Sequence, residues 1–286
     1  MRKLSFIILL LTTLVLRAGA QTFYTSTEYG FSAGASQYFG DINDNYGFKF
    51  VRPAGGLFVR KLINPFIAIR GSVAYTHVGY ADKYSSNYFN KTRNLSFESD
   101  IIEVVAQSEF NFFRFSTGEL NSRFTPYLTA GIGAFYYNPY TDYLGRRYNL
   151  RSMGTEGQYL EGYEGRQYGR VSVCFPVGAG IKYWVVPGVN FGFEIANRLT
   201  LTDYMDDVST TYVGASNFPT DPQIVNPAFV LQDRSPEITG IPLGRAGKQR
   251  GNTNTKDQYM MFMFNISIQL KTYKCPAFLK EGYYMY

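Results

Sequence analysis

From Met260 to Leu270 every second residue is apolar: Met260, Phe262, Phe264, Ile266, Ile268 and Leu270 fall on one face, Met261, Met263, Asn265, Ser267 and Gln269 on the other. A period of two marks a β-strand with one face against an apolar medium. The alternation recurs from Ile102 to Phe113, where Ile102, Val104, Ala106, Phe110 and Phe112 oppose Glu103, Gln107, Glu109 and Asn111. It runs again over Val171 to Tyr183 and Val189 to Leu201, and through Tyr29 to Gln37, Gly56 to Ile63, Phe66 to Thr76 and Thr125 to Tyr137. The facing of Gly56 to Ile63 is ambiguous, because Arg60 and Lys61 are adjacent. Eight strands are predicted, and the class is all-β.

The connections sort by length. Asn64-Pro65, Ser116 to Ser122 and Val186 to Gly188 are short; Asp41 to Gly55, Tyr80 to Ser99, Asn138 to Gly169 and Asp203 to Lys256 are long. This alternation predicts an eight-stranded antiparallel transmembrane β-barrel with long extracellular loops and short periplasmic turns, both termini periplasmic. A soluble lipocalin-like barrel would show the same period with its apolar face inward. Two features favour the membrane form. The polar face carries Arg70, Glu103, Glu109, Lys182, Glu194 and Arg198 beside Gly131, Gly133, Gly178 and Gly180, which suits a crowded lumen. Tyr75, Tyr136, Tyr137 and Tyr183 stand near strand ends, where aromatic girdles form. The inward charges are three basic and three acidic, which favours a paired network over a single-sign selectivity ring.

The chain's beginning alters the charge picture. Arg2 and Lys3 precede the apolar run Leu4 to Leu16, and Ala18-Gly19-Ala20 forms a cleavage site, so residues 1–20 are predicted to be a cleaved signal peptide. Its loss removes Arg2, Lys3 and Arg17 and no acid, reducing the formal charge from +6 to +3, and a nucleic-acid partner loses its main support. No later stretch reaches the ~18 apolar residues of a membrane helix, so a spanning chain here must be a barrel. The 286 residues hold 25 Tyr and 24 Phe but one His and two Cys, which argues against His-dependent catalysis and against a disulfide framework. No enzyme, cofactor or metal centre is expected.

Few constellations suggest chemistry. Asp203, Asp206 and Asp207, with Thr202 and Ser209, could hold a hard cation such as calcium or bond local backbone at a strand exit. His77 ends the third strand near the outer rim, where a lipid hydrolase could use it, but no serine is singled out by spacing. Gly154-Thr155-Glu156-Gly157 lacks the strand-to-helix setting of a phosphate loop. Cys174 and Cys275 are placed at opposite barrel ends, ~25 Å apart, too far to bridge. The tail, residues 274–286, carries Cys275, Phe278, Tyr283 and Tyr284, an aromatic end fit for an interface. Cys275 is either a free thiol or part of an intermolecular disulfide.

Several segments carry a family likeness: Gly34 to Ile42, Glu109 to Phe113, Phe124 to Tyr127, Gly154 to Gln158, Pro176 to Tyr183, Thr202 to Ser209, and Arg250-Gly251-Asn252 followed by Asp257-Gln258-Tyr259. Together, in this order, they resemble the PorG-type outer-membrane barrels of the type IX secretion system. The likeness spans about Tyr29 to Tyr273, so a barrel over residues 21–273 is expected, with a periplasmic tail behind it. It implies a non-enzymatic component of protein export in Bacteroidetes-type bacteria, tethering a periplasmic ring of the lipoprotein PorK and of PorN to the outer membrane. Cys275, Phe278, Tyr283 and Tyr284 would be the partner-binding residues. The alternatives are an outer-membrane channel and a small adhesion or structural barrel.

Overall fold

The computed structural model describes residues 26–117, 119–219 and 226–270. The predicted signal peptide, the tail and the four tail residues expected to bind a partner lie outside them. Ten strands follow in order: β1 (Thr27–Phe39), β2 (Arg52–Leu62), β3 (Ile67–Ala81), β4 (Ser96–Asn111), β5 (Phe124–Tyr136), β6 (Tyr140–Tyr143), β7 (Arg146–Asn149), β8 (Val171–Val186), β9 (Val189–Thr200) and β10 (Gln258–Leu270). All but β6 and β7 form an antiparallel sheet in which each strand pairs with the next barrel strand, and β1 pairs with β10 from Thr27↔Leu270 to Phe39↔Gln258. The sheet thereby closes into an eight-stranded barrel without a free edge.

The alternation places the apolar face outward. Phe264 is 66% exposed, Val104 58% and Leu57 66%, while their strand neighbours Asn265, Val105 and Phe58 are buried. Side chains of this size, exposed all round a closed wall, form a surface for lipid. Among the described residues no helix is long and apolar enough to cross a membrane. The inward face interleaves charged and polar side chains with apolar ones such as Phe58, Val105, Met261 and Met263, which together crowd the lumen.

Four details depart from the expected pattern. Strands β3 and β4 run several residues past their predicted rim ends, to Ala81 and from Ser96. Both faces of Val78–Ala81 are buried there, because the long loops fold over the strand tips, and alternation stops reporting the strand. The loop from Asn138 contains the hairpin β6–β7, turning at Leu144 and Gly145 with positive φ at both (49° and 75°). That geometry usually advertises itself as Asn-Gly; here an exposed leucine takes the first position. Tyr137 is not a girdle residue but lies 1% exposed inside the mouth. The ambiguous pair resolves cleanly: Arg60 points inward, Lys61 outward.

The short-turn end is closed as well. Phe115 is wholly buried in the turn after β4, and the buried Trp184 lies beneath the guanidinium of Arg123, 4.3 Å from its ring.

Candidate functional site

Two polar clusters dominate the interior, one filling the lumen and one sealing its mouth. The lumen holds four carboxylates, Glu28, Glu103, Glu109 and Glu194, and four cations, Arg60, Arg70, Lys182 and Arg198, none more than 4% exposed. Glu109 is the hub: Arg60 Nε lies 2.8 Å and Arg70 Nη1 3.2 Å from its oxygens, and Lys182 donates to it as well. Glu28 accepts from Arg60 at 2.6 Å and from Ser267 at 2.9 Å. Glu194 accepts from Arg70 and from the Tyr127 hydroxyl, both at 2.7 Å. Nearer the mouth, Glu103 binds the Arg198 fork at 3.0 and 3.3 Å and the Tyr259 hydroxyl at 2.7 Å. A cavity between the two groups, lined by Arg70, Glu103, Glu194 and Arg198, measures about 20 Å³. That is room for about one water molecule, not for a hydrated path.

All six inward charges expected from alternation are in this network, and Glu28 and Arg60 join them. Glu28 precedes the predicted start of its strand and Arg60 sits in the ambiguous one. Formal charge sums to zero, so each desolvated ion has a partner, the condition under which buried charge is tolerated.

Over the mouth, loops from four connections meet in a second buried knot. Arg93 is held by both carboxylate oxygens of Asp82 at 2.7 Å and donates to the carbonyls of Arg250 and Asp41. Arg250 pairs with Glu156 at 3.0 Å and donates to the carbonyls of Asp207 and Gln232. Glu156 also accepts from the amides of Ser209 and Thr210. Asp207 accepts from Thr155 and from the Tyr168 hydroxyl. Gly251 allows this convergence, since a Cβ there would lie 2.4 Å from Asp41 Oδ2 and 2.7 Å from the Ser209 amide. Gly154 and Gly157 have φ of +69° and +77°, which explains the Gly-rich motif by backbone need rather than phosphate binding.

The aspartates after β9 are structural members of the knot. Asp203 accepts from Ser209 at 2.5 Å, and Asp206 from the amides of Val208 and Ile42. Among the described residues no cluster of His, Cys, Asp and Glu is arranged to hold a metal ion. The Tyr38 hydroxyl lies 2.6 Å from Asp206 and 2.7 Å from Asp257. A hydroxyl has one proton to donate, so a protonated carboxyl makes the other contact. Burial and repulsion from neighbouring carboxylates, Asp41 foremost among those shared, push Asp206 and Asp257 well above the usual carboxylate range. Burial likewise raises Asp41 to about 7, and Asp203 and Asp207 to about 6.

His77 faces out of the wall just above Tyr75, its ring nitrogens 3.0 Å from Asp100 and 2.8 Å from Glu98. Its hydrogen-bonding capacity is taken up by these two carboxylates. Cys174 is wholly buried at the inner mouth. Sequence reasoning missed the partners Tyr38, Asp41, Asp82 and Arg93, whose role depends on contacts across as many as 219 positions, as between Tyr38 and Asp257.

Residues 1–218 match the model of a family described as "Domain of unknown function (DUF6089)", and the chain belongs to that family. No curated protein matches it. Among solved structures it is similar to Ail, the attachment invasion locus protein of Yersinia pestis, at 10% identity and a TM-score of 0.40, with 87% of this chain and 100% of that one covered. It is similar also to Neisserial surface protein A, at 11% identity and a TM-score of 0.41, covering 85% of this chain and 97% of that one. The N-terminal β-barrel domain of Pseudomonas aeruginosa OprF is similar at 8% identity and a TM-score of 0.35, with 86% and 99% covered.

Proposed function

We propose that this DUF6089 member is a non-enzymatic outer-membrane component of the type IX protein secretion machinery, tethering a periplasmic PorK and PorN ring to the membrane. The observation that carries the reading is the sealed interior. Eight mutually neutralising charges fill the lumen and a knot of loops covers its mouth, so the barrel serves as a wall-bound anchor rather than a conduit. The segments that carry the PorG likeness support it further. Five of them, scattered from Gly34 to Tyr259, supply Asp41, Thr155, Glu156, Asp203, Asp206, Asp207, Ser209, Arg250, Gly251 and Asp257 to the knot, and the other three supply Glu109, Tyr127 and Lys182 to the luminal network. The likeness therefore falls on the two buried polar clusters of the interior rather than on isolated words.

In this reading the docking element is the periplasmic tail, with Cys275, Phe278, Tyr283 and Tyr284 meeting the ring and Cys275 forming a disulfide to its lipoprotein. Affinity purification of the native protein should recover the ring proteins, with a reductant-sensitive adduct that Cys275→Ser abolishes and Cys174→Ser does not. Deleting residues 274–286 should release the ring while leaving the barrel inserted. Ring proteins that still copurify with the truncated barrel would exclude the tail as the docking element. A deletion strain that secretes cargo normally would exclude the secretion role.

A further inference from the structure

Outside the knot, on the long-loop side, lies a cleft of about 480 Å³ bordered by Phe89, Arg93, Tyr212, Leu243, Arg245 and Lys248. Its size is that of a ligand site rather than a packing flaw. One wall is the short helix Tyr88–Arg93, which presents Phe89, 50% exposed. The other is the strap 243–249, whose backbone is pinned from several directions. Tyr212 exchanges hydrogen bonds with it through Lys248 O at 2.8 Å and the Gly247 amide at 2.9 Å, Asp233 accepts from the Gly244 amide at 2.7 Å, and Ser235 from that of Leu243 at 2.9 Å. The floor is equally fixed, because the Arg93 guanidinium is spent on Asp82 and two carbonyls. The cleft is therefore preorganised, which lowers the ordering cost of binding.

Its chemistry is one-sided. Arg245 and Lys248 are exposed, and neither has a carboxylate partner among the described residues, whereas Arg93, Arg234 and Arg250 beside them are each paired. Among the described residues no acidic side chain lines the cleft. Phe89 and Leu243 supply an apolar surface beside the two cations. The complementary ligand is an anion adjoining an apolar group. A neutral glycan is disfavoured, since among the described lining groups no carboxylate accepts from sugar hydroxyls and the two exposed cations would face no charge. A lipid headgroup is disfavoured because the cleft is built from loops beyond the strand ends rather than from the wall.

We propose that this cleft docks an acidic peptide segment of a partner at the cell surface, an apolar side chain entering between Phe89 and Leu243 while neighbouring carboxylates pair with Arg245 and Lys248. The site faces away from the periplasm, so it stands or falls independently of the ring-tethering role.

The test uses the full chain folded in detergent micelles, with folding verified by heat-modifiable gel migration, and a fluorescein-labelled hexapeptide alternating acidic residues with phenylalanine and leucine. Anisotropy should rise saturably with protein concentration. The double variant Arg245→Glu, Lys248→Glu should weaken binding by about tenfold or more, since like charges then face each other. Phe89→Ser should weaken it too, and Leu144→Ser, on the remote hairpin turn, should not. A lysine-for-acid version of the peptide should fail to bind. Absence of saturable binding by the parent chain, or unchanged affinity in the double variant, would overturn the proposal. Displacement of the peptide by lipopolysaccharide micelles, but not by inorganic phosphate, would overturn it in favour of a lipid ligand.

Discussion

Replacing Glu109 by glutamine keeps the side chain's shape and removes the charge at the centre of the lumen. Three cations, Arg60, Arg70 and Lys182, then have only Glu28 and Glu194 within reach. All three are nearly fully buried, so solvent cannot take the place of the missing carboxylate. Breaking a buried pair by removing one partner costs about 3–5 kcal/mol, because an uncompensated charge stays behind. We expect Glu109→Gln to fall in that range and Lys182→Met alone to cost a comparable amount. The double variant is neutral again and should recover at least ~2 kcal/mol of the summed loss, as coupled neighbours do. The chain's single tryptophan, Trp184, is buried at the short-turn end and reports unfolding by fluorescence, so equilibrium urea titrations in lipid vesicles give the three values directly. A single-variant cost below about 1 kcal/mol, or a double variant no better than the sum, would refute the claim that these charges hold one another.

Three further outcomes follow from the same geometry. Phe264→Arg, on the lipid face, should cost about 2–4 kcal/mol and impair insertion, whereas Asn265→Ser, one residue on, should insert normally; equal tolerance would refute the facing. Gly251→Ala should loosen the mouth, because the new methyl meets Asp41 and the Ser209 backbone, and should expose the 201–257 loop to limited proteolysis without unfolding the barrel. The knot should tighten on acidification. Asp41, Asp203 and Asp207 have folded pKa values of about 7, 6 and 6 against an ordinary 3.8, so their stabilisation is complete below about 4 and lost as pH rises through 6 to 7. Hydrogen-exchange protection factors for Met205 and Val208 should therefore be higher at pH 5 than at pH 8, and the reverse order would contradict the assignment.

How much of this was legible along the chain depended on what each residue faced. Strands whose outer face meets lipid announce themselves, because Phe264, Ile266 and Ile268 repeat against buried polar neighbours. The signal failed where lipid gave way to protein on both sides, as at Val78–Ala81, and where a charge pair straddled the two faces, as at Arg60 and Lys61. The luminal network was readable in outline, since Glu103, Glu109, Lys182 and Glu194 stand alone among outward apolar residues. The knot was not readable from periodicity at all: Arg93 and Arg250 look like ordinary loop cations, and only distance in the folded chain shows them sharing one buried site. Its acidic members were visible as a cluster with two roles open to them, and their contacts are those of the second, bonding to local backbone, with the Tyr38 and Ser209 hydroxyls beside the amides.

A planar-bilayer recording of the purified, reconstituted barrel tests the sealed anchor most directly. With eight balanced charges packed in the lumen and the loop knot intact, the native protein should give no steady conductance steps across ordinary voltages and salt. Long-lived, large openings from the native barrel would mean that its charged interior is a gate rather than a plug, and that the protein is a channel.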